Sequence, residues 1–548
     1  METKERAEVV VVGAGPTGLL AASELALRGI EVVVLDRLTE PDHTIKAGSI
    51  NIASAEILDR RGLLGEAEAV QRTLMERVGM KVPALAPGTL PAFPAMGHFG
   101  GMFFDASAID QRDPVLSEHT AAAGGFAVPQ AEVERILRER CAAQGVEIRR
   151  GVTVTSLKHM GASWDDDVDV LVETSDGTLT ADWVVAADGG RSTARKLLEI
   201  DFVGTEPTLV GYQAVVQMQS ANPLSRGWTW TPRGVYASGP VPGRVLVARF
   251  GEQPADKRAE VSVEELQDVL RDVTGHELTI TGAHGRITRW SDNSRYAARY
   301  RRGRVLLAGD AAHVHPPFSG QGLNLGFGDA VNLGWKLAAT ICGTAPAGLL
   351  DSYESERRTI AAQVLDWTRA QVSIMRGDPQ SARMRSLLQD ELLPLPAVAT
   401  RMLARTAGLT QHYEVTADPS GAEGTLVGNN LMGDGSRFAQ YAHDGGFVLV
   451  DRTVDARHAE LAKTWTPDVT IVHDSQSDAR SILVRPDGII AWEGGNDTDQ
   501  ERLAAALRRW AGGPAHNDHH PYFHSCGAHD SLDTDRPSSS SPADSWRA

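Results

Sequence analysis

Cysteine is almost absent: Cys141, Cys342 and Cys526 are the only three in 548 residues, far apart, with no CxxC and no metal-ligand spacing. That excludes a disulfide framework and a zinc ribbon, and predicts a reducing compartment, the cytoplasm. Long apolar runs are missing too. No stretch approaches the ~18 uninterrupted apolar residues of a membrane-spanning helix. The run Val9-Val10-Val11-Val12 is too short for a signal-peptide core and ends in glycine. Positive charge is in the minority: 54 Lys and Arg against 71 Asp and Glu give a formal net charge of -17. Basic residues are scattered or in short pairs such as Arg60-Arg61 and Arg149-Arg150, so neither a nucleic-acid partner nor a membrane is expected. There is no P-loop, HExxH, nucleophile elbow or internal repeat.

Hydrophobic residues at 42% and charged residues at 23% are ordinary globular values and exclude a disordered, collagen-like or coiled-coil chain. At about 150 residues per domain the length suggests roughly three or four domains. Residues 8–12 read as a buried strand, 13–18 as a glycine turn, 19–28 as a helix and 31–35 as a second buried strand, a βαβ unit. Residues 44–75 look helical, and 82–104, rich in Pro, Gly and Phe, look like loops or short strands. A helix is predicted at 130–144, and strands at 147–148, 152–157 and 168–174. The run Asp165-Asp166-Asp167 is a solvated loop. Residues 203–250 alternate as antiparallel strands do, notably 211–218 and 245–250. A helix follows at 261–273, a buried strand at 304–308, and helices at 329–340 and 352–374. Residues 426–511 form a compact βαβ-like segment. From residue 512 the chain turns to His, Ser, Pro and Asp and reads as disordered.

Three motifs carry chemistry. In Gly13-Ala14-Gly15-Pro16-Thr17-Gly18, Gly13 permits a tight turn, Gly15 lets backbone approach a pyrophosphate, and Gly18 lets helix pack on strand. Asp36, followed by Arg37, closes the second strand at the distance for a ribose hydroxyl. This motif fits FAD or NAD equally. The second is Asp188-Gly189-Gly190-Arg191-Ser192-Thr193-Ala194-Arg195. The third begins Gly309-Asp310-Ala311-Ala312-His313 and continues Pro316-Pro317-Phe318-Ser319-Gly320-Gln321-Gly322-Leu323-Asn324. Asp310 closes a strand where its carboxylate can accept a bond from a ribityl hydroxyl. Residues 320–324 combine small side chains with a helix start, whose N–H groups can stabilise negative charge on a reduced ring.

Together these motifs resemble, over residues 1 to about 370, the single-component FAD-dependent aromatic hydroxylases of the para-hydroxybenzoate hydroxylase fold, the group A flavoprotein monooxygenases. The nearest likeness is to the larger members that tailor aromatic polyketides and antibiotics. Those carry a C-terminal thioredoxin-like domain, matched here by Leu483-Val484-Arg485-Pro486-Asp487-Gly488 and Trp492. The resemblance implies an α/β chain with a discontinuous Rossmann-like, GR2-type FAD-binding domain (1–80, 105–200, 300–375). It further implies an inserted α+β substrate domain (81–104, 201–299), a helical linker (376–425), a thioredoxin-like domain (426–511) and a disordered tail (512–548). Without a CxxC, thiol redox chemistry in the third domain is not expected.

The resemblance also implies FAD as cofactor, NADPH or NADH as co-substrate, O2, and hydroxylation of an aromatic phenol- or polyketide-like molecule through a C4a-hydroperoxyflavin. The protein would act as a monomer or homodimer. Pro316, Pro317 and Gly320 would present backbone to the flavin face, with no side-chain base assigned. The FAD-binding set would be Gly13, Gly15, Pro16, Thr17, Gly18, Asp36, Arg37, Lys46, Gln130, Gly309, Asp310, Gly320, Gln321, Gly322, Leu323 and Asn324, with Asp188 and Arg195 tied to both FAD and NADPH. Tyr212, Trp228 and Trp230 are candidate substrate lining under the strand-rich roof. His313 and His315 read as polar structural contacts, and Tyr353 to Arg357 as an ion-pair scaffold. No metal is expected: His516, His519, His520, His524, Cys526 and His529 sit in the flexible tail without preorganised geometry.

Four positions depart from the family pattern: Ala53 and Lys46 where Arg is frequent, Ser319 where Gly is common, and Gly328 where Gln is common. The alternatives on the same scaffold are Baeyer–Villiger insertion, epoxidation and oxidative decarboxylation. Trp228-Thr229-Trp230-Thr231-Pro232 resembles the WxWxIP signature of flavin-dependent halogenases without its Ile. A non-catalytic flavin- or ligand-binding protein is the remaining alternative.

Overall fold

The computed structural model describes residues 5–514 except 43, 45, 78–94, 120–126, 162, 165–167, 220–222, 240, 252, 254–255, 257–258, 430–431, 466–467, 476–478 and 496–498. The acidic run 165–167 and nearly all of the tail therefore lie outside the described residues. The first sheet orders Val305–Leu307, Gly177–Ala186, Glu5–Val12, Val32–Asp36 and Glu147–Arg150 side by side and parallel. Val9, Val10 and Val11 are wholly buried because helices cover both faces, so this strand reads as an unbroken apolar run. Pro16–Ala26 packs between Gln130–Ala143 and the long helix Gln321–Ile341. That last helix starts earlier than the apolar pattern suggests. Gly320, at φ +61°, turns the chain, and Gly322 to Asn324 already form its first turn. Gly177–Ala186 also pairs, through its first half, with Val170–Thr174.

The inserted domain is a five-stranded sheet in the order Gly227–Thr231, Gly234–Ser238, Arg244–Phe250, Leu209–Met218, Ile280–Ser291. The helix Val263–Thr274 lies on one face. Ser262 caps it, Glu264 and Glu265 open it against the dipole, and Gly275 closes it in the left-handed region. Its Leu266, Val269, Leu270 and Val273 pack on Val210, Tyr212, Ala214 and Val216. Strand alternation sends Leu209 to the other face, where it meets Val235, Ala248, Phe318, Val372 and Met375. That second face, not the helix-covered one, looks toward the loop 315–322.

Residues 376–425 do more than link. Leu393, Ala399, Leu403, Ala404 and Ala407 form a core with Ile52 and with Phe99, Met102 and Phe104 of the hairpin Ala95–Phe99 and Met102–Asp105. The C-terminal sheet runs Val469–His473, Phe447–Asp451, Ser481–Val484, Ile490–Gly494, the first pair parallel and the rest antiparallel. With helices Arg457–Ala462 and Asp499–Trp510 this is the thioredoxin-like arrangement. Its Phe447, Leu449, Trp492 and Trp510 share one core with Trp335 of the flavin-domain helix. Among the described residues no helix is long and apolar enough to cross a membrane, and no group of three or more His, Cys, Asp or Glu could hold a metal.

Candidate active site

The glycine turn is built as its spacing predicts. Gly13 adopts φ +109°, and a Cβ on Gly18 would lie 1.9 Å from the Gly13 carbonyl oxygen, so neither tolerates a side chain. Gly15 differs: nothing lies within 4 Å of where its Cβ would stand, so bare backbone faces open space at the helix start. Pro16 is the first helical residue, and the Thr17 hydroxyl fills the gap made by Gly309 and Gly326. Asp36 accepts hydrogen bonds from the N–H groups of Ala14 (2.7 Å) and Leu38 (2.8 Å), which locks the turn to the second strand.

The third motif converges on Gly322. The exposed Asp310 carboxylate lies 3.9 Å, and His315 Nε2 3.7 Å, from the position of a Gly322 Cβ. Asp310 stands between buried Gly309 and Ala311, an acceptor held at the end of a rigid strand. His315 Nδ1 donates to the Pro316 carbonyl (2.9 Å), which leaves Nε2 as a buried acceptor without a partner among the described residues. A flavin dinucleotide fits these groups: open backbone at Gly15 for the pyrophosphate, the Asp310 carboxylate for ribityl hydroxyls, and an uncovered Gly320 N-terminal to the helix.

Behind this surface Asp329 ties the motif to the long helices. It accepts from Gly309 N (2.9 Å), pairs with His313 Nε2 (2.6 Å) and accepts from Arg357 Nε (2.8 Å). Burial alone would raise its pKa, but its contacts with His313 and Arg357 outweigh burial and hold the carboxyl below its ordinary value. Gly328 is explained here. A Cβ there would stand 2.6 Å from the Arg357 guanidinium, so the departure from Gln makes room for this ion pair.

Other predicted residues are engaged by the protein itself. Gln321 donates to the carbonyls of Ser319 and Thr406, and Asn324 accepts from Asn51 N and donates to the Gly320 carbonyl, so both shape the loop. Leu323 packs against the core, while Pro316 is buried and Pro317 exposed. Gln130 N donates to the Ala47 carbonyl, which anchors the loop carrying Lys46 (itself paired with Asp42 at 2.9 Å). Arg37 is exposed. Asp188 caps the helix at Thr193 and Ala194. Arg195 is buried, donates to the Ala311 and Gly190 carbonyls, and stacks 3.6 Å over Phe202. It clamps the second motif to the third.

Tyr212 does not face the site, contrary to the expectation that it lines the pocket. Its ring lies beneath the helix Val263–Thr274 and its hydroxyl donates to Glu265 (2.8 Å), on the sheet face away from the loop 315–322. The alternation of its strand shows two faces but not which one meets the flavin domain. Trp228 and Trp230 do reach that side. Trp228 touches His98 (5.1 Å between centroids) and Phe318 (5.9 Å), and Trp230 Nε1 donates to the Gly100 carbonyl (3.1 Å). Trp290 completes the box, edge-on to Phe318 at 5.5 Å and seated on Gly211.

Sequence reasoning missed His98, Trp290, Phe318 and Arg244. Arg244 reaches from the inserted sheet to within 3.1 Å of a Gly48 Cβ position, and burial lowers its pKa. Among the described residues no carboxylate pairs with it. Only the Gly211–Trp290 register across paired strands could have hinted at the box.

Burial pulls the pKa of both His98 and His315 down to about 4, from 6.5. Between those values the unfolded chain binds more protons than the folded one. Stability contributed by these neutral imidazoles is therefore complete above about pH 6.5 and lost as pH falls toward 4, by up to about 3 kcal/mol for each. Urea midpoints measured from pH 7 to pH 5 should fall less steeply for His98→Gln and His315→Gln than for the parent. Equal slopes would show that the two rings are not held neutral.

The comparisons with known proteins agree with this geometry. Residues 6–368 match the FAD binding domain family, and 424–514 match the aromatic-ring hydroxylase C-terminal family. The chain is 38% identical to a 12-dehydrotetracycline 5-monooxygenase/anhydrotetracycline 6-monooxygenase of Streptomyces rimosus subsp. rimosus, covering 93% of this chain and 100% of that one. It is 34% identical to a dialkyldecalin synthase of Streptomyces rugosporus, over 92% and 98%. The solved structure of an anhydrotetracycline hydroxylase from Streptomyces rimosus superposes with a TM-score of 0.78 at 36% identity, over 93% of this chain and 100% of that one. By both family matches and its full-length relatives, this chain belongs to the FAD-dependent aromatic-ring monooxygenases.

Proposed function

We propose that this family member is a cytoplasmic enzyme, monomeric or homodimeric, that uses NADPH or NADH and O2 to hydroxylate an extended aromatic polyketide of the anhydrotetracycline kind. One observation carries the reading: the loop 315–322 borders the Asp310 and His315 acceptors on one side and, through Phe318, the Trp228–Trp290 box on the other. Bound FAD supplies the redox chemistry that activates dioxygen. The chain supplies everything around it. Asp310, Gly15 and Gly320 hold the dinucleotide by acceptors and bare backbone. Trp228 and Trp290, braced by the buried Phe318, offer flat apolar faces to fused rings and keep water from the reacting edge. His98 is neutral, and its Nδ1 accepts from Gly101 N–H (3.2 Å), so Nε2 carries the proton and can donate to a substrate oxygen. The Arg244 guanidinium, with which no carboxylate among the described residues pairs, suits an anionic or enolic oxygen at the seam between the domains. The Pro316 carbonyl accepts from His315, the Pro317 carbonyl from Gly320 N–H and the Gly320 carbonyl from Asn324, so these bonds fix the shape of the loop that faces the flavin.

The test is oxygen uptake and NADPH oxidation by FAD-loaded protein with anhydrotetracycline, with products read by mass spectrometry. A gain of one oxygen atom with an intact ring skeleton is expected. Ring insertion would favour a Baeyer–Villiger reaction. Ring closure without oxygen uptake would favour a synthase, a role that one relative's name carries. Dependence on chloride and an external reductase would indicate halogenation, and bound flavin with no turnover a binding protein.

A further inference from the structure

Ser319 is one of three non-glycine residues with positive φ among the described residues, at +58°, and it stands where the family pattern has glycine. A serine held there needs something to keep it in place. Its hydroxyl oxygen lies 2.7 Å from the His98 carbonyl oxygen and 2.7 Å from Gln371 Oε1. Gln371 is wholly buried, and its Oε1 also accepts Gly100 N–H at 3.0 Å. That N–H fixes which way the amide faces: turned over, the amide would set N–H against N–H. Both neighbours of the Ser319 hydroxyl are therefore acceptors. One hydroxyl has one proton, so it donates fully to only one of them at a time.

The three partners belong to three different pieces. Ser319 is in the loop between the flavin cradle and the aromatic box. His98 and Gly100 are in the hairpin whose turn nests against Trp228 and Trp230. Gln371 is in the helix Asp351–Ile374. The hairpin's hold on the loop and the helix's hold on the loop thus compete for one proton. A small displacement of the hairpin, as when a ring system enters beside His98, is enough to hand that proton from the His98 carbonyl to Gln371.

We propose that Ser319 is a positioning residue, a shared-proton clasp that couples occupation of the aromatic box to the seating of the flavin-facing loop. The proposal rests on the FAD reading above for what the loop seats, but not for the clasp itself. Its ligand side takes flat, fused-ring aromatic molecules that contact His98 and the two tryptophans.

The experiment uses the full chain as purified, with Ser319→Ala, which removes the proton and keeps the left-handed backbone, and Ser319→Gly, which removes both and relaxes the strain. Backbone hydrogen exchange is followed in the segments 97–105 and 316–322, with and without anhydrotetracycline as probe. In both variants the hairpin should exchange about tenfold faster than in the parent, the scale of one lost hydrogen bond. In flavin-loaded protein, FAD affinity and melting temperature should stay close to the parent's. The change in bound-flavin fluorescence on adding the probe should disappear in both variants although the probe still binds. Parental exchange in both segments would overturn the clasp, and so would a retained flavin response. Failure of the chain to bind FAD would sink the functional reading instead, and the exchange measurement would still decide the clasp.

Discussion

Arg485→Ala should cost the protein about 3–5 kcal/mol, the largest loss expected of any single substitution here, because it leaves two buried carboxylates with one lysine between them. Arg485 is 1% exposed, donates to both oxygens of Glu356 at 2.7 and 2.8 Å and pairs with Asp487. Its guanidinium also lies 4.4 Å from the ring centre of Trp510 and 5.5 Å from that of Trp335. Lys336 Nζ reaches Glu356 at 2.7 Å, and Asn332 bridges Glu356 and Asp487. Burial would raise the Glu356 pKa, but Arg485 and Lys336 outweigh burial and hold it far below the carboxylate range. The sign follows: a depressed acid stabilises the fold above its unfolded pKa of about 4.3, and that contribution fades as pH falls. Truncating the arginine removes one of two cations and leaves two buried carboxylates with Lys336 alone. Thermal and urea unfolding of flavin-loaded protein should show the loss at pH 7. The quadruple variant Arg485→Met, Lys336→Met, Glu356→Gln, Asp487→Asn should recover most of it, since neutralising a buried network is far milder than halving it. A single variant as stable as the parent would mean that water reaches this network.

The second large effect separates binding from folding by one methyl group at two neighbouring glycines. Gly18→Ala forces a Cβ to within 1.9 Å of the Gly13 carbonyl, so strand, turn and helix must move apart. A loss of at least about 3 kcal/mol in stability, with FAD binding lost as well, is expected. Gly15→Ala meets no protein atom within 4 Å and has an ordinary φ of -80°. The apoprotein should therefore unfold like the parent. Yet the methyl occupies the space through which backbone approaches a pyrophosphate, so FAD affinity should drop by roughly 100-fold, about 3 kcal/mol. Flavin titration by fluorescence quenching beside apoprotein melting curves checks both. If Gly15→Ala bound FAD as the parent does, the dinucleotide would not lie over this turn.

The pattern of what could be read in advance is physical. The βαβ unit was legible because Val9 to Val12 is buried on both faces and the glycines that follow act on immediate chain neighbours. The C-terminal strands were legible for the same reason. Residues whose role depends on distant partners were not. Arg244 stands nearly two hundred residues from Gly48, and Gln371 further still from Gly100. Nothing local distinguishes either from a surface residue. Tyr212 shows the limit of alternation, which sorts side chains to two faces without naming the one that matters. Asp188 and Arg195 show a different limit. Their motif is real, but in the fold these side chains cap a helix and clamp two loops. The helical stretch 376–425 looked like a spacer because its apolar residues answer to a hairpin nearly three hundred positions earlier.

The Arg485–Glu356–Lys336 junction also bears on how such proteins can be recombined. A thioredoxin-like module without its redox cysteines looks like a portable cassette, to be exchanged freely between relatives. Here its arginine is neutralised by a glutamate on one long helix of the flavin domain, and its aspartate is bridged by an asparagine on the other. A chimera cut at residue 424 would join charges selected in different proteins. A workable graft must carry 329–357 along with the module, so the heritable unit at this boundary is a pair of distant segments rather than a domain.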